Sequence, residues 1–472
     1  MLLSQHDLLT GVTAIIIIAV ALICIEIAQK KKQLSKLAGR KMLHFTAVCT
    51  CAFAIYCFEN LALLAIIFLI FFMLLLWVIR KGWMQVSEHK TYGIALFPLA
   101  FAVLLFTPIF HKEVIVYAAL VLGICDAAAG MYGEYAGRKK IIFLAEKKSW
   151  AGFTAFYTTA FILSICYCRA AGISVNTILF CGILALLPAL TELFSYKGSD
   201  NFTVPIITAL WLLLAKKIEG IDLQIFVLCI LLFTALSFFA VYKKWLTLSG
   251  AAAALWMALV LYSTGGYKAF IAPGIFLISG SLLSKLNPHP DEKDGRDAKQ
   301  VFANGIVGAA FMIAYSITGQ NSSLAAAIIS FGISMSDSVS SELGVYFKRS
   351  TYDILSFKKM EPGVSGGISL PGTLAALAGA ILIALSAMYL YHFSSAVFLW
   401  ISLAGFTGML ADSILGSWLQ VKYSFPGGHA SDKPLPGTIQ VKGYNWCGNN
   451  TVNFISNLLV TLVFFYILSQ MH

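Results

Sequence analysis

Apolar runs long enough to cross a bilayer recur from one end of this chain to the other. They lie near residues 8–28, 42–58, 61–79, 93–110, 114–131, 150–168, 173–191, 202–215, 222–241, 246–263, 269–284, 302–318, 323–344, 371–390, 395–416 and 452–470. A hydrocarbon core about 30 Å thick takes about 20 residues as a helix, and within lipid a helix satisfies every backbone polar group internally. With 59% hydrophobic and 12% charged residues among 472, the pattern predicts an all-α polytopic membrane protein with about 15–16 transmembrane helices. The run at 202–215 is short.

Charge gives an orientation. If residues 1–7 lie outside and the spans alternate, 28 of the 33 Lys and Arg fall in inside loops, as the positive-inside rule requires. A multi-pass protein of the bacterial inner membrane, N-terminus outside and polar motifs facing the cytoplasm, is the expectation. The net charge of +11 then reflects topology and an anionic substrate. No basic soluble face suggests nucleic acid. The first run follows His6 and Asp7 and precedes "QKKKQLSK", with no small-residue cleavage site, so it reads as a retained anchor. Ten cysteines without a C-x-x-C pair suit core packing rather than disulfides or zinc. The polar join "AKKIEGIDLQ" divides the chain into two fused helical-bundle domains, 1–218 and 219–472.

Carboxylates inside spans are costly and mark function, and here they recur in one form. "GICDAAAGMYGEYAGRKK" (123–140), "SMSDSVSSELG" (334–344) and "GMLADSILGSWLQ" (408–420) each put an Asp near the cytoplasmic end of a span, followed by small residues. Small residues admit a close neighbour, and an acid there suits Mg²⁺ beside phosphate. A buried Asp paired with Lys or Arg to hold helices together is the structural alternative. After Asp126 come Gly130, Gly133 and Gly137, the cations Arg138 and Lys148, and Ser149 at a helix start where phosphate is favoured. "LAGRKMLHF" puts Arg40 and His44 at i and i+4, able to hold a phosphate or deprotonate an alcohol; Lys41 reads as a topology signal. "TELFSYKGSDNFTVP" adds Glu192, Asp200 and Asn201. In the second half, Gln300 and Asn304 share a helix face. "KKMEPGVSGGISLPGT" offers a Gly- and Ser-rich phosphate cradle, and "GYNWCGNNTVNFISN" gives three asparagines at a helix start, of which capping explains one.

These blocks resemble two families. The first half, through "GRKMLHF", "GICDAAAGMYGEYAGRKK…EKKSWAG" and "TELFSYKGSDNFTVP", is similar to the phytol kinase and dolichol kinase family. The second, through "GRDAKQVFANG", "SDSVSSELG", "GVSGGISLPGT", "GMLADSILGSWLQ" and "NNTVNFISN", resembles the phytyl-phosphate kinase family of membrane proteins. The resemblance implies a fusion that phosphorylates an isoprenoid alcohol to its monophosphate and then to its diphosphate, with CTP as co-substrate and Mg²⁺ as cofactor. It implies catalytic or metal-holding roles for His44, Asp126, Glu192, Asp200, Asp337, Glu342 and Asp412. Around the first phosphate it implies Arg40, Gly130, Gly133, Gly137, Arg138, Lys148, Ser149, Gly152 and Asn201. Around the second it implies Arg296, Gln300, Asn304, Ser341, Gly366, Gly367, Ser369, Gly372, Ser413, Gln420, Asn449 and Asn453. Asn450 stands where that family would carry Asp, and Cys125 where Gly is usual. Competing expectations are cytidylyl transfer to a lipid phosphate and, from the internal duplication, a secondary transporter.

Overall fold

A computed structural model describes residues 4–81, 93–107, 109–137, 141, 148–172, 177–195, 198–215, 221–285, 295–347, 349–424, 430–432, 434 and 437–471. Each of the sixteen apolar runs coincides with helix over most of its described residues. Among the described residues ten helical stretches are long and apolar enough to cross a membrane, and four shorter apolar helices accompany them. The protein is thus an all-α, multi-pass membrane protein, and among the described residues it has fewer full-length spans than the 15–16 expected. Part of the difference is that two runs form a single 36-residue stretch, Leu248–Leu283. Gly266, at φ +63°, breaks it. Beyond the break Leu277 packs on the cluster of Ala240, Leu246 and Ala251, and Lys285 lies 5.5 Å from the Trp245 ring, so the second half returns toward the start of the first.

Backbone packing divides the chain into Met1–Val227 and Leu228–His472. The expected boundary at 218/219 falls in 216–220, outside the described residues.

The first unit contains α1 (Gln5–Lys30), α2 (Lys36–Cys57), α3 (Leu61–Arg80), α4 (Gly93–Phe106), α5 (Lys112–Leu120), α6 (Asp126–Tyr135), α7 (Trp150–Ala170), α8 (Thr177–Phe194) and α9 (Asp200–Ala215). α1 and α2 form a hairpin held at both ends. Buried Asp7 accepts from the Glu59 and Asn60 amides (2.7 and 3.3 Å), and Gly39 admits the Gln29 side chain. A π turn, Val121–Cys125, joins α5 to α6. Such a turn inserts one residue and rotates the helix beyond it, which here sets the direction of Asp126 at the start of α6.

The second unit begins within α10 (Ile221–Tyr242). It continues with α11 (Leu248–Gly265), α12 (Ile271–Leu283), α13 (Ala298–Thr318), α14 (Asn321–Tyr346), α15 (Leu370–Tyr391), α16 (Ser395–Trp418) and α17 (Asn449–Ser469). α14 is central, packed against α12, α13, α15, α16 and α17. Its buried Ala325, Ala326, Ala327, Ser330, Gly332 and Ser334 leave room for close helix approach.

Two small antiparallel sheets sit between these helices. One runs β2 (Lys359–Met360), β1 (Thr351–Asp353), β3 (Gly367–Ile368). The other runs β5 (Ala430–Ser431), β4 (Lys422–Ser424), β6 (Ile439–Lys442). The stretch read as a phosphate cradle is part of the first sheet. Gly366, at φ +86°, abuts Ser417, where a Cβ would come within 2.6 Å. Gly367 abuts Thr351. Buried Gln420 accepts from Ser365 Oγ (2.8 Å), and Ser417 donates to Asp353 (2.6 Å). Gly366 and Gln420 are therefore engaged in joining this sheet to the end of α16, and Gly367 packs within the sheet.

Candidate functional site

In the first unit α2, α6, the start of α7, α8 and α9 bring the sequence-selected residues together. Lys41 and His44 face α6 from the start of α2. Lys41 Nζ donates to both carboxylate oxygens of Asp126, at 3.1 and 3.0 Å, and His44 Nε2 lies 3.5 Å from Oδ2. Gly130, one turn beyond Asp126, makes this possible, because a Cβ there would fall 2.4 Å from Lys41 Cε. Lys148 pairs with Glu192 Oε1 and donates to the Glu192 carbonyl at 3.0 Å. Asp200 opens α9, and Asn201 Nδ2 donates to Gly93 O (2.9 Å).

These groups form one end of a cavity of about 1150 Å³. Its polar end holds Arg40, Lys41, His44, Asp126, Gly130, Gly133, Lys148, Ser149, Gly152, Glu192, Asp200 and Asn201. The remainder is apolar, lined by Gly11, Ala14, Ile15, Ile18 and Leu22 of α1, Ala47 to Phe58 of α2, Leu64 to Leu75 of α3, and Phe97 of α4. A long cavity with charge at one end and hydrocarbon along its length suits an amphiphile with a small polar head. Gly137 packs between Gly133 and Ser149; Arg138 lies outside the described residues.

Lys41 is the residue that sequence reasoning passed over. The signal was present in "GRKMLHF", where Lys41 and His44 are three residues apart and so share a helix face. Its partner is 85 positions away.

In the second unit Asp412 of α16 accepts from Ser456 Oγ at 3.0 Å. In the amide orientation that satisfies Asn453, its Nδ2 donates to Asp412 Oδ1 (3.2 Å) and to the Asn449 carbonyl (2.9 Å). Asn304 Oδ1 lies 3.4 Å from the same carboxamide, and Asp337 is close enough to Asp412 for their charges to interact. Arg296 acts electrostatically on Asp337 and stacks 5.0 Å from Phe276. Gln300 closes a capping box with Asp297. Ser341 donates back to the Asp337 carbonyl, and Ser413 contacts Met409. Glu342 is half-buried one turn past Asp337 on α14. The expected asparagine cap of α17 is absent: Gly448 takes that position, with no side-chain capping bond.

The two units share a local frame. In the first, Gly133 lies seven residues after Asp126 and packs on Ser149 and Gly152, with Cβ approaches of 3.1 and 3.3 Å. In the second, Gly344 lies seven after Asp337 and packs on Ser369 and Gly372, at 3.1 and 3.6 Å. Each serine caps its helix by accepting from the glycine amide three residues on, at 3.1 and 3.3 Å. The helices that come next pack in the same succession, α7–α8–α9 and α15–α16–α17. They carry Glu192 and Asp200 in one unit and Asp412 and Asn453 in the other. The partner differs: cations face Asp126, while amides, a hydroxyl and a second carboxylate surround Asp412.

Fold and site together define a polytopic membrane protein of two helical units with a related polar site in each. Residues 231–461 match the family described as Integral membrane protein DUF92. An uncharacterized membrane protein of Methanocaldococcus jannaschii is 33% identical over 171 residues, 35% of this chain and 71% of its own length. The chain belongs to this integral membrane family. Protein PGR of Arabidopsis thaliana is 27% identical over 271 residues, 50% of this chain and 94% of its own length. A phytol kinase of Synechocystis is 29% identical over 130 residues, 27% of this chain and 55% of its own length. No solved structure matches the chain.

Proposed function

We propose that the protein is a membrane phosphotransferase that phosphorylates an isoprenoid alcohol of the phytol, farnesol or geranylgeraniol type twice. The first unit makes the monophosphate and the second the diphosphate, with CTP as donor. The observation that carries this reading is the first unit's cavity, which joins an apolar channel to a head site holding Lys41, His44, Asp126 and Lys148. Similarity to a phytol kinase supports it, and the repeated frame around Asp337 supports a second site of the same kind.

In the first step the alcohol oxygen attacks the terminal phosphorus of the nucleotide. The bond from that phosphorus to its bridging oxygen breaks, and the nucleoside diphosphate leaves. His44 Nε2 takes the hydroxyl proton, steadied by Asp126 3.5 Å away. Lys41, Lys148 and Arg40 offset charge on the phosphate oxygens, which is most of what phosphoryl transfer asks of a protein. A bound Mg²⁺ would supply positive charge to offset the charge developing on the transferred phosphate. Among the described residues no three His, Cys, Asp or Glu side chains gather as a metal-holding group; Asp337 and Asp412, close enough for their charges to interact, are the oxygen donors that would hold the ion. In the first unit ammonium groups already stand against Asp126 and Glu192.

Membranes containing the protein, supplied with Mg²⁺, labelled CTP and each alcohol, should yield both mono- and diphosphate. Asp126→Asn should stop the first step and Asp337→Asn should let monophosphate accumulate. Diphosphate formation at the normal rate by Asp337→Asn would overturn the two-site reading. A CDP-lipid formed from the lipid phosphate with pyrophosphate release would mean cytidylyl transfer instead.

A further inference from the structure

We infer that α1 is a chain-length gauge for the lipid tail, with Gly11 and Ala14 as its specificity-determining positions; this rests on the phosphotransferase reading above. The face of α1 that lines the cavity carries Gly11, Ala14, Ile18 and Leu22, steps of three or four residues that keep one side of a helix turned inward. α1 runs antiparallel to α2, since Asp7 meets Glu59 and Asn60 at one end and Gln29 meets Gly39 at the other. Leu22 therefore lies near the level of His44, and Gly11 near the far end, beside Ala54 and Phe58.

From His44 to Phe58 is fourteen residues of α2, about 21 Å at about 1.5 Å per residue. An extended carbon chain with C–C bonds of about 1.5 Å advances roughly 1.25 Å per carbon, so an isoprene unit, with four main-chain carbons, spans roughly 5 Å. The channel accommodates about four units below a hydroxyl held at His44. One step along the α1 face, three residues or about 4.5 Å, is close to one isoprene unit. At Gly11 a Cβ would meet no atom within 4 Å. This is open space at the depth the fourth unit reaches.

The test compares phosphorylation of C10, C15 and C20 isoprenoid alcohols. Gly11→Leu replaces a poor helix former with a good one and projects a branched side chain into the last part of the channel. It should cut C20 turnover at least about tenfold relative to C15. Ala14→Leu should move the cut-off one unit shorter, so that C10 is retained and C15 is lost. Leu9→Phe, on a part of α1 that is 67% exposed, should leave the length profile unchanged. Retained turnover of the shorter alcohol reports an intact fold. An unchanged C20 to C15 ratio in Gly11→Leu would overturn the gauge, as would equal loss of all three alcohols in both leucine variants. Absence of any isoprenoid phosphorylation by the unaltered protein would overturn the phosphotransferase reading instead.

Discussion

Replacing Lys41 by Met keeps most of the side chain's length and removes its charge. In the protein Lys41 Nζ lies 3.1 and 3.0 Å from the two oxygens of Asp126, and the side chains are 20% and 10% exposed. At 3.0 Å two unit charges attract by roughly 5 kcal/mol at an effective dielectric of about 20. Removing one partner of a buried pair costs about 3–5 kcal/mol, largely because the other charge is stranded. His44, 3.5 Å away, offsets part of that, so Lys41→Met should cost about 3 kcal/mol. If stranded charge is the cause, adding Asp126→Asn should restore all but about 1 kcal/mol, while alcohol phosphorylation stays lost in both single variants and in the double. Unfolding titrations in mixed detergent micelles give the stabilities, and product chromatography gives the activity. A cost below about 1 kcal/mol for Lys41→Met would refute the buried pair. A double variant no more stable than Lys41→Met would show that packing, not charge, set the loss.

Gly130→Ala should reduce activity and lower stability by up to about 2 kcal/mol, because its Cβ, 2.4 Å from Lys41 Cε, pushes the end of that lysine off Asp126 while helix propensity offsets about 1 kcal/mol of the loss; steady-state kinetics and the unfolding titration read the two effects. Ser456→Ala withdraws a donor from Asp412 Oδ1, so monophosphate should accumulate and stability should fall by about 1–3 kcal/mol, both read on the same preparation. Gly366→Ala forces a side chain into φ +86° against Ser417 and should destabilise the small sheet by more than about 1 kcal/mol, seen as faster proteolysis within 349–369. Burial alone would raise the pKa of Asp353, but hydrogen bonds from Ser417, Ser356 and the Leu355 amide outweigh it and lower the group from 3.8 to about 2. Because the folded value is the lower one, its contribution is complete above about pH 4 and is lost as pH falls toward about 2; Asp353→Asn should flatten that part of a stability–pH curve.

The glycines show where reading residues one stretch at a time reaches its limit. In sequence Gly130, Gly133, Gly152 and Gly372 all read as places where a phosphate meets backbone. In the structure Gly130 gives passage to Lys41, while Gly133, Gly152 and Gly372 let one helix lie against the next. Sequence marks a glycine as a point of close approach without saying what approaches. Lys41 shows the converse limit: a cation at a span boundary is normally explained by topology, and only the packing of α2 on α6 gives it Asp126. Asp412 was visible as an acid in a greasy segment, but its donors come from α17, more than forty residues on.

The sequence by itself determined that the chain is a multi-pass helical membrane protein and where nearly every helix lies. It also concentrated the acids, amides and cations near helix ends. It could do so because bilayer insertion depends on local hydrophobicity and on backbone groups bonded within one segment. Only the tertiary structure decided that Lys41 and Lys148 occupy Asp126 and Glu192, that Gly366 and Gln420 join a sheet to a helix end, and that one face of α1 closes an apolar channel. Those outcomes depend on which helix faces meet across tens of residues, and hydropathy is blind to the rotation of a helix that is apolar nearly all round.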